Sequence, residues 1–138
     1  MADDNTIDLI PLERAINRLD EGWARYQRDV SDLQIRDGLI QRFEFTYEIS
    51  HRMLKRYLEF TSATPTQYDT MSFADLIRSG NEHGLLLGIW PDWKRYRDMR
   101  AKTSHSYEEG IASEVVAGIL PFLAEARHLL AQLKARRA

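Results

Sequence analysis

The densest chemistry in this chain lies between Trp93 and Tyr107, in the stretch WKRYRDMRAKTSHSY. From Lys94 to Lys102 it holds five cations, Lys94, Arg95, Arg97, Arg100 and Lys102, against one acid, Asp98. Ser104, His105 and Tyr107 follow at once. Arginine presents a planar fork of donors that grips a phosphate with two prongs. Histidine exchanges a proton near neutral pH and so serves as acid or base. Tyrosine adds a hydroxyl. Together these types suit phosphate chemistry, with Arg97, Lys102 and Ser104 as candidate phosphate contacts beside Arg100 and His105.

The spacing sets a condition on that reading. Five residues of regular helix turn through about 140° beyond a full turn, so Arg100 and His105 share a face only if the helix ends or distorts between them. Lys102-Thr-Ser-His is a weak helix-forming run, and Ser104 can cap a following helix. A helix junction is therefore expected here. The alternative is bland: the cations form a solvated helix face and His105 is an ordinary interhelical histidine.

Other chemistries find little support. His51, His83, His105 and His128 are far apart, and none has a ligand partner at the spacing of a zinc-protease motif. Glu44 and Glu48 are one turn apart, yet no Glu-x-x-His follows as in di-iron bundles. No metal and no cofactor is expected. There is no Gly-rich phosphate loop and no Gly-x-Ser-x-Gly elbow. Cysteine is absent, which excludes thiol catalysis and disulfides.

Helices must position the Arg100–Tyr107 segment. Leu12, Ile16, Leu19, Trp23, Tyr26 and Val30 recur at steps of four and three, predicting a helix from about residue 9 to 30 with Asp8 as cap. Ser31-Asp32 breaks and restarts the chain. Leu39, Phe43, Tyr47, Leu54 and Tyr57 then mark a helix over 33–60, about 40 Å long. Residues 61–70 read as a loop and 72–79 as a short helix, with Ser72 and Asp75 resembling a capping box and Gly80 the stop. Residues 81–88 form a second loop. A helix from Pro91 to about Ser104 turns Trp90, Trp93 and Tyr96 inward. The last spans about 109–136, with a kink expected at Gly118 and Pro121. No period-two alternation or hairpin signal indicates a strand. The expected fold is all-α, an up-and-down bundle of four or five helices in one domain over residues 1–138.

Composition bounds the rest. With 138 residues, 43% apolar and 29% charged, the chain can bury one core. Its formal net charge is −2, so any polyanion binding must come from a local cluster. The start, MADDNTIDLI, is acidic and lacks a signal pattern, and apolar runs are too short for a membrane span, so a cytoplasmic location is expected.

Two segments together resemble a known family. The run GLIQRFEFTYEISHRMLKRYLE, residues 38–59, resembles the second helix of the nucleotidyltransferase substrate-binding proteins. Arg100, four residues, His105, one residue and Tyr107 resemble the signature of the wider HEPN superfamily. The resemblance covers nearly the whole chain. It implies a HEPN-like bundle that forms a homodimer and pairs with a minimal nucleotidyltransferase, as in toxin–antitoxin systems. It further implies Arg100 and His105 as the catalytic pair of a metal-independent ribonuclease, and Tyr107 as a hydroxyl the partner blocks by adding AMP. Ala101 departs from the family, whose members often carry Asn or another polar residue after the motif arginine. That polar group helps orient the site, so Ala101 separates a partner-binding subunit from an active ribonuclease acting on RNA. A purely structural helical dimer is the third reading. It requires Arg100 and His105 to lie apart or to be spent in ion pairs.

Overall fold

The computed structural model describes residues 7–137. Six α-helices account for most of them: α1 Ile10–Arg28, α2 Leu33–Phe60, α3 Phe73–Glu82, α4 Trp90–Lys102, α5 Glu109–Ala117 and α6 Ile119–Arg137. Short 3-10 turns occupy Pro65–Asp69 and Thr103–His105. No strand occurs among the described residues. The expected all-α bundle is therefore what the chain forms. No helix of the described residues is long and apolar enough to cross a membrane.

The helix starts follow from local capping. Asp32 accepts from the backbone N–H groups of Gln34 and Ile35, which fixes the start of α2. Ser72 accepts from the N–H of Asp75 at the start of α3. Asp8 accepts from the Ile10 N–H, but the capping residue of α1 is Leu9, one position later than expected. Pro11 falls in the first turn, where no helical hydrogen bond is lost.

Two element boundaries depart further from the sequence expectation. Gly80 does not stop α3. It is buried inside the helix, against Leu86 and Leu54, and the chain turns instead at Gly84, whose φ of 70° suits glycine. The expected kink is a full break. α5 ends at Ala117 and α6 begins at Ile119, because Pro121 has no N–H to give the Ala117 carbonyl. Pro121 then lies in the first turn of α6, where it is tolerated.

An aromatic cluster joins α2, α4 and α6. Phe43 meets Phe122 edge-on at 5.1 Å, Tyr96 meets Phe122 at 5.3 Å, and Trp93 meets Tyr96 at 5.6 Å between ring centroids. Tyr47 completes the ring against Trp93 and Phe122. Edge-on pairs add to simple burial because ring edges are positive and faces negative. Burial pushes the Tyr47 hydroxyl pKa up to about 12, against the pull of Arg97 and Arg100. α1 packs along α2 through Leu12, Ile16 and Leu19. Thr46 donates to the Ala15 carbonyl across that seam.

The loop before α4 is anchored by a buried carboxylate. Glu125 is 1% exposed and accepts from the backbone N–H groups of Leu87 and Gly88, both at 2.7 Å. Burial holds its carboxyl above the ordinary value, opposed by those two N–H groups. The entry to α4 is thus tied to the middle of α6.

Because Phe122 contacts four other rings in a filled core, Phe122→Ala is expected to lower unfolding stability by about 3–5 kcal/mol. Chemical denaturation followed by circular dichroism measures this. A loss below 1 kcal/mol would show that the cluster is not the core.

Candidate functional site

The Arg100–Glu109 segment is pinned to α2 at both ends. At its start, Arg100 reaches across to two carboxylates. Its Nη2 and Nε atoms donate to Glu48 Oε2 at 2.6 and 3.1 Å, and Nη1 pairs with Glu44 Oε2 at 3.1 Å. Glu44 and Glu48 are one helical turn apart, so both carboxylates meet one guanidinium. At the segment's end, Glu109 pairs with Arg36 at 2.6 Å, and that hydrogen bond holds the Glu109 carboxyl below its ordinary value. Lys102 pairs with Glu114 of α5 at 2.6 Å.

The junction expected between Arg100 and His105 is present. α4 stops at Lys102 and a single 3-10 turn follows. Thr103, buried at this point, donates to the Arg100 carbonyl at 2.8 Å and accepts from Arg100 Nη1 at 3.3 Å. One side chain therefore closes the helix end and steadies the guanidinium. Thr103 lay inside the sequence motif without a role assigned to it.

Beyond Thr103 the segment is displayed to solvent. Ser104, His105 and Tyr107 are exposed, Tyr107 by 77%. The His105 and Tyr107 rings lie 6.1 Å apart. Neither the imidazole nor the phenol hydroxyl makes a hydrogen bond among the described residues. The structure thus brings His105 and Tyr107 together, and ties Arg100 to α2. No hydrogen bond or ion pair joins Arg100 to His105 among the described residues.

The flanking cations divide. Lys102 is engaged by Glu114, and Lys94 by Asp98. Arg97 is exposed, its guanidinium carbon 5.6 Å from the Phe73 ring centre and 5.3 Å from that of Trp90. Ala101 is exposed and offers no polar side chain at the position after the arginine. Among the described residues no group of three or more His, Cys, Asp or Glu side chains is placed to hold a metal.

The Arg100 clamp is a surface device. The arginine side chain is 30% exposed, and those of Glu44 and Glu48 are 34% and 48% exposed. Ion pairs this open contribute at most about 1 kcal/mol each. They orient the fork without locking it. The sequence signal for the clamp was the one-turn spacing of Glu44 and Glu48, which alone could not say that Arg100 stood opposite.

A family model described as nucleotidyltransferase substrate binding protein like matches residues 7–135. The chain belongs to this family. A protein of Haemophilus influenzae named probable ribonuclease HepT is 36% identical over 126 residues, which is 91% of this chain and 86% of that protein. The solved structure of HI0074 from the same organism, described as the fold of a substrate binding domain of a nucleotidyltransferase, superposes with a TM-score of 0.85. It is 34% identical, and the match covers 92% of this chain and 99% of that one. In this nucleotidyltransferase substrate binding protein-like chain, the long second helix and the Arg100–Tyr107 segment are therefore parts of one family fold.

One turn beyond Glu48 on α2, His51 is half-buried between Tyr47 and Phe73. Burial holds its pKa below the ordinary 6.5, and Lys55 adds to the effect. The nearby acid is Asp69, across a shared cavity. The unfolded chain thus binds the proton more readily than the folded one. Stability present above pH 6.5 is expected to decline as pH falls below it, and His51→Gln to remove that part of the slope. Parallel denaturation curves at pH 7.5 and 5.5 test this. Identical pH slopes for both proteins would contradict it.

Proposed function

We propose that this chain is the subunit that a partner nucleotidyltransferase binds and modifies, with Tyr107 as acceptor. The observation that carries the reading is the 77% exposure of Tyr107, with its hydroxyl unbonded and its ring beside His105. A tyrosine in a core cannot meet a second active site. Tyr107 stands out from a segment whose two ends are anchored. In the transfer, the Tyr107 oxygen attacks the α-phosphorus of ATP. The bond to the β-phosphate oxygen breaks, pyrophosphate leaves, and the phenol proton is lost. The adenylyl group then adds bulk and negative charge next to His105 and opposes entry of another phosphate.

A second reading is favoured by the relative named probable ribonuclease HepT. In it the chain cleaves RNA without a metal. His105 moves the proton of a ribose 2′-hydroxyl as the hydroxyl oxygen attacks the adjacent phosphorus. The 5′-oxygen leaves, giving a 2′,3′-cyclic phosphate and a 5′-hydroxyl. Arg100 stabilises the charge that gathers on the phosphorane. The clamp imposes a requirement here. With Glu44 and Glu48, the Arg100 site carries a net charge of −1, so a phosphate must displace a carboxylate. A homodimer would bring a second His105 for the leaving group.

Incubation with the partner and ATP is expected to add AMP to the Tyr107 peptide, detected by mass spectrometry, and Tyr107→Phe to stay unmodified. An unmodified Tyr107 peptide beside an active partner would overturn the first reading. For the second, cleavage of an RNA oligonucleotide in chelator is expected to fall at least about a hundredfold in His105→Ala. Equal cleavage by both proteins would remove His105 from the chemistry.

A further inference from the structure

Arg97 is less than one turn from Arg100 on α4, a rise of about 4.5 Å. Residues three apart on a helix lie on the same side, so Arg97 and Arg100 are neighbours on its surface. Its guanidinium covers two aromatic rings from different elements, Phe73 at the start of α3 and Trp90 at the start of α4. Those rings meet each other edge-on at 5.7 Å. Both rings are half-buried, whereas Arg97 over them is exposed. Unlike Arg100, Lys94 and Lys102, Arg97 makes no ion pair among the described residues.

Phe73 also lines a cavity of about 310 Å³. His51 meets the Phe73 ring edge-on at 4.9 Å, and Lys55 and Asp69 add a donor and an acceptor to the cavity wall. Burial favours the neutral form of His51, whose ring can both donate and accept. On α2, Glu48 of the Arg100 clamp and His51 of the cavity wall are one turn apart.

A flat cation on an aromatic base, next to a phosphate-type arginine, is what an unpaired nucleobase stacks on. We infer that Arg97, Phe73 and Trp90 form a nucleobase subsite for single-stranded RNA, adjoining the phosphate position at Arg100. This rests on reading Arg100 as a phosphate-binding group. The base stacks on the outer guanidinium face, with the polar groups of the cavity near its edge. Duplex RNA is excluded from such a platform because its bases are stacked on each other.

The test uses a 2′-O-methyl oligoribonucleotide, which cannot be cleaved, and an abasic oligomer with the same number of phosphates. Fluorescence anisotropy measures the affinity of each for the full chain. The wild type is expected to bind the base-bearing oligomer about tenfold more tightly, the weight of one stacked base. Arg97→Lys keeps the charge and removes the plane, and is expected to abolish that preference. Arg127→Ala removes a cation paired with Asp20 on the α1–α6 side and is expected to leave it intact. Equal binding of the two oligomers by the wild type, or a preference retained in Arg97→Lys, would overturn the subsite. A base preference without any cleavage of unmodified RNA would support the subsite while rejecting the ribonuclease reading.

Discussion

The site depends on one constraint: the Arg100–Glu109 segment is held to α2 by charge at both ends. Arg100 reaches Glu44 and Glu48, and Arg36 reaches Glu109. Between them Ser104, His105 and Tyr107 are exposed, and their side chains would otherwise sample many positions. Two anchors separated by two to three turns of α2 give it a fixed span. Thr103 tightens the first anchor by bonding both the carbonyl and the guanidinium of Arg100. The aromatic core makes those anchors meaningful, since Phe43, Tyr47, Trp93 and Phe122 set the distance between α2 and α4.

The same arrangement sets the site's charge. A bare arginine beside a histidine would draw any polyanion. Here two carboxylates answer Arg100, Glu114 answers Lys102 and Asp98 answers Lys94. The local field is close to balanced, in keeping with the net charge of −2 over the chain. Under the proposed phosphate role, selectivity would rest on ligands that can exchange for a carboxylate and gain something besides charge. The aromatic stack under Arg97 is one such gain, and the two-pronged geometry of arginine is another. The clamp also meets part of what a purely structural role requires, because Arg100 is engaged in ion pairs. It departs from that role in being open to solvent, with its neighbours His105 and Tyr107 unbonded.

Much of the fold could be read from the residues. The stripe on α2 and the cap at Asp32 gave that helix its observed bounds, because periodicity and capping are local signals. The junction after Lys102 was legible from the weak helix formers that follow it. Gly80 misled because a glycine near a helix end resembles a stop. Only the packing of Leu86 and Leu54 against it shows why it lies inside. Glu125 was not legible at all, since a carboxylate in a helix gives no sign that two loop N–H groups await it across the fold. Within the candidate site, the types and order of Arg100, His105 and Tyr107 were evident. Their partners were not, because Arg100 and Glu48 are 52 residues apart and only tertiary packing joins them.

The proposed phosphate role of Arg100 requires a phosphate to replace a carboxylate of Glu44 or Glu48 at its guanidinium. The nitrogen-15 NMR signal of the Arg100 Nε–H, which donates to Glu48 in the free protein, reports on this directly. On saturation with an uncleavable single-stranded oligoribonucleotide, that signal is predicted to shift while the Arg127 signal stays in place. Saturation of the protein with RNA and an unmoved Arg100 signal would contradict the account.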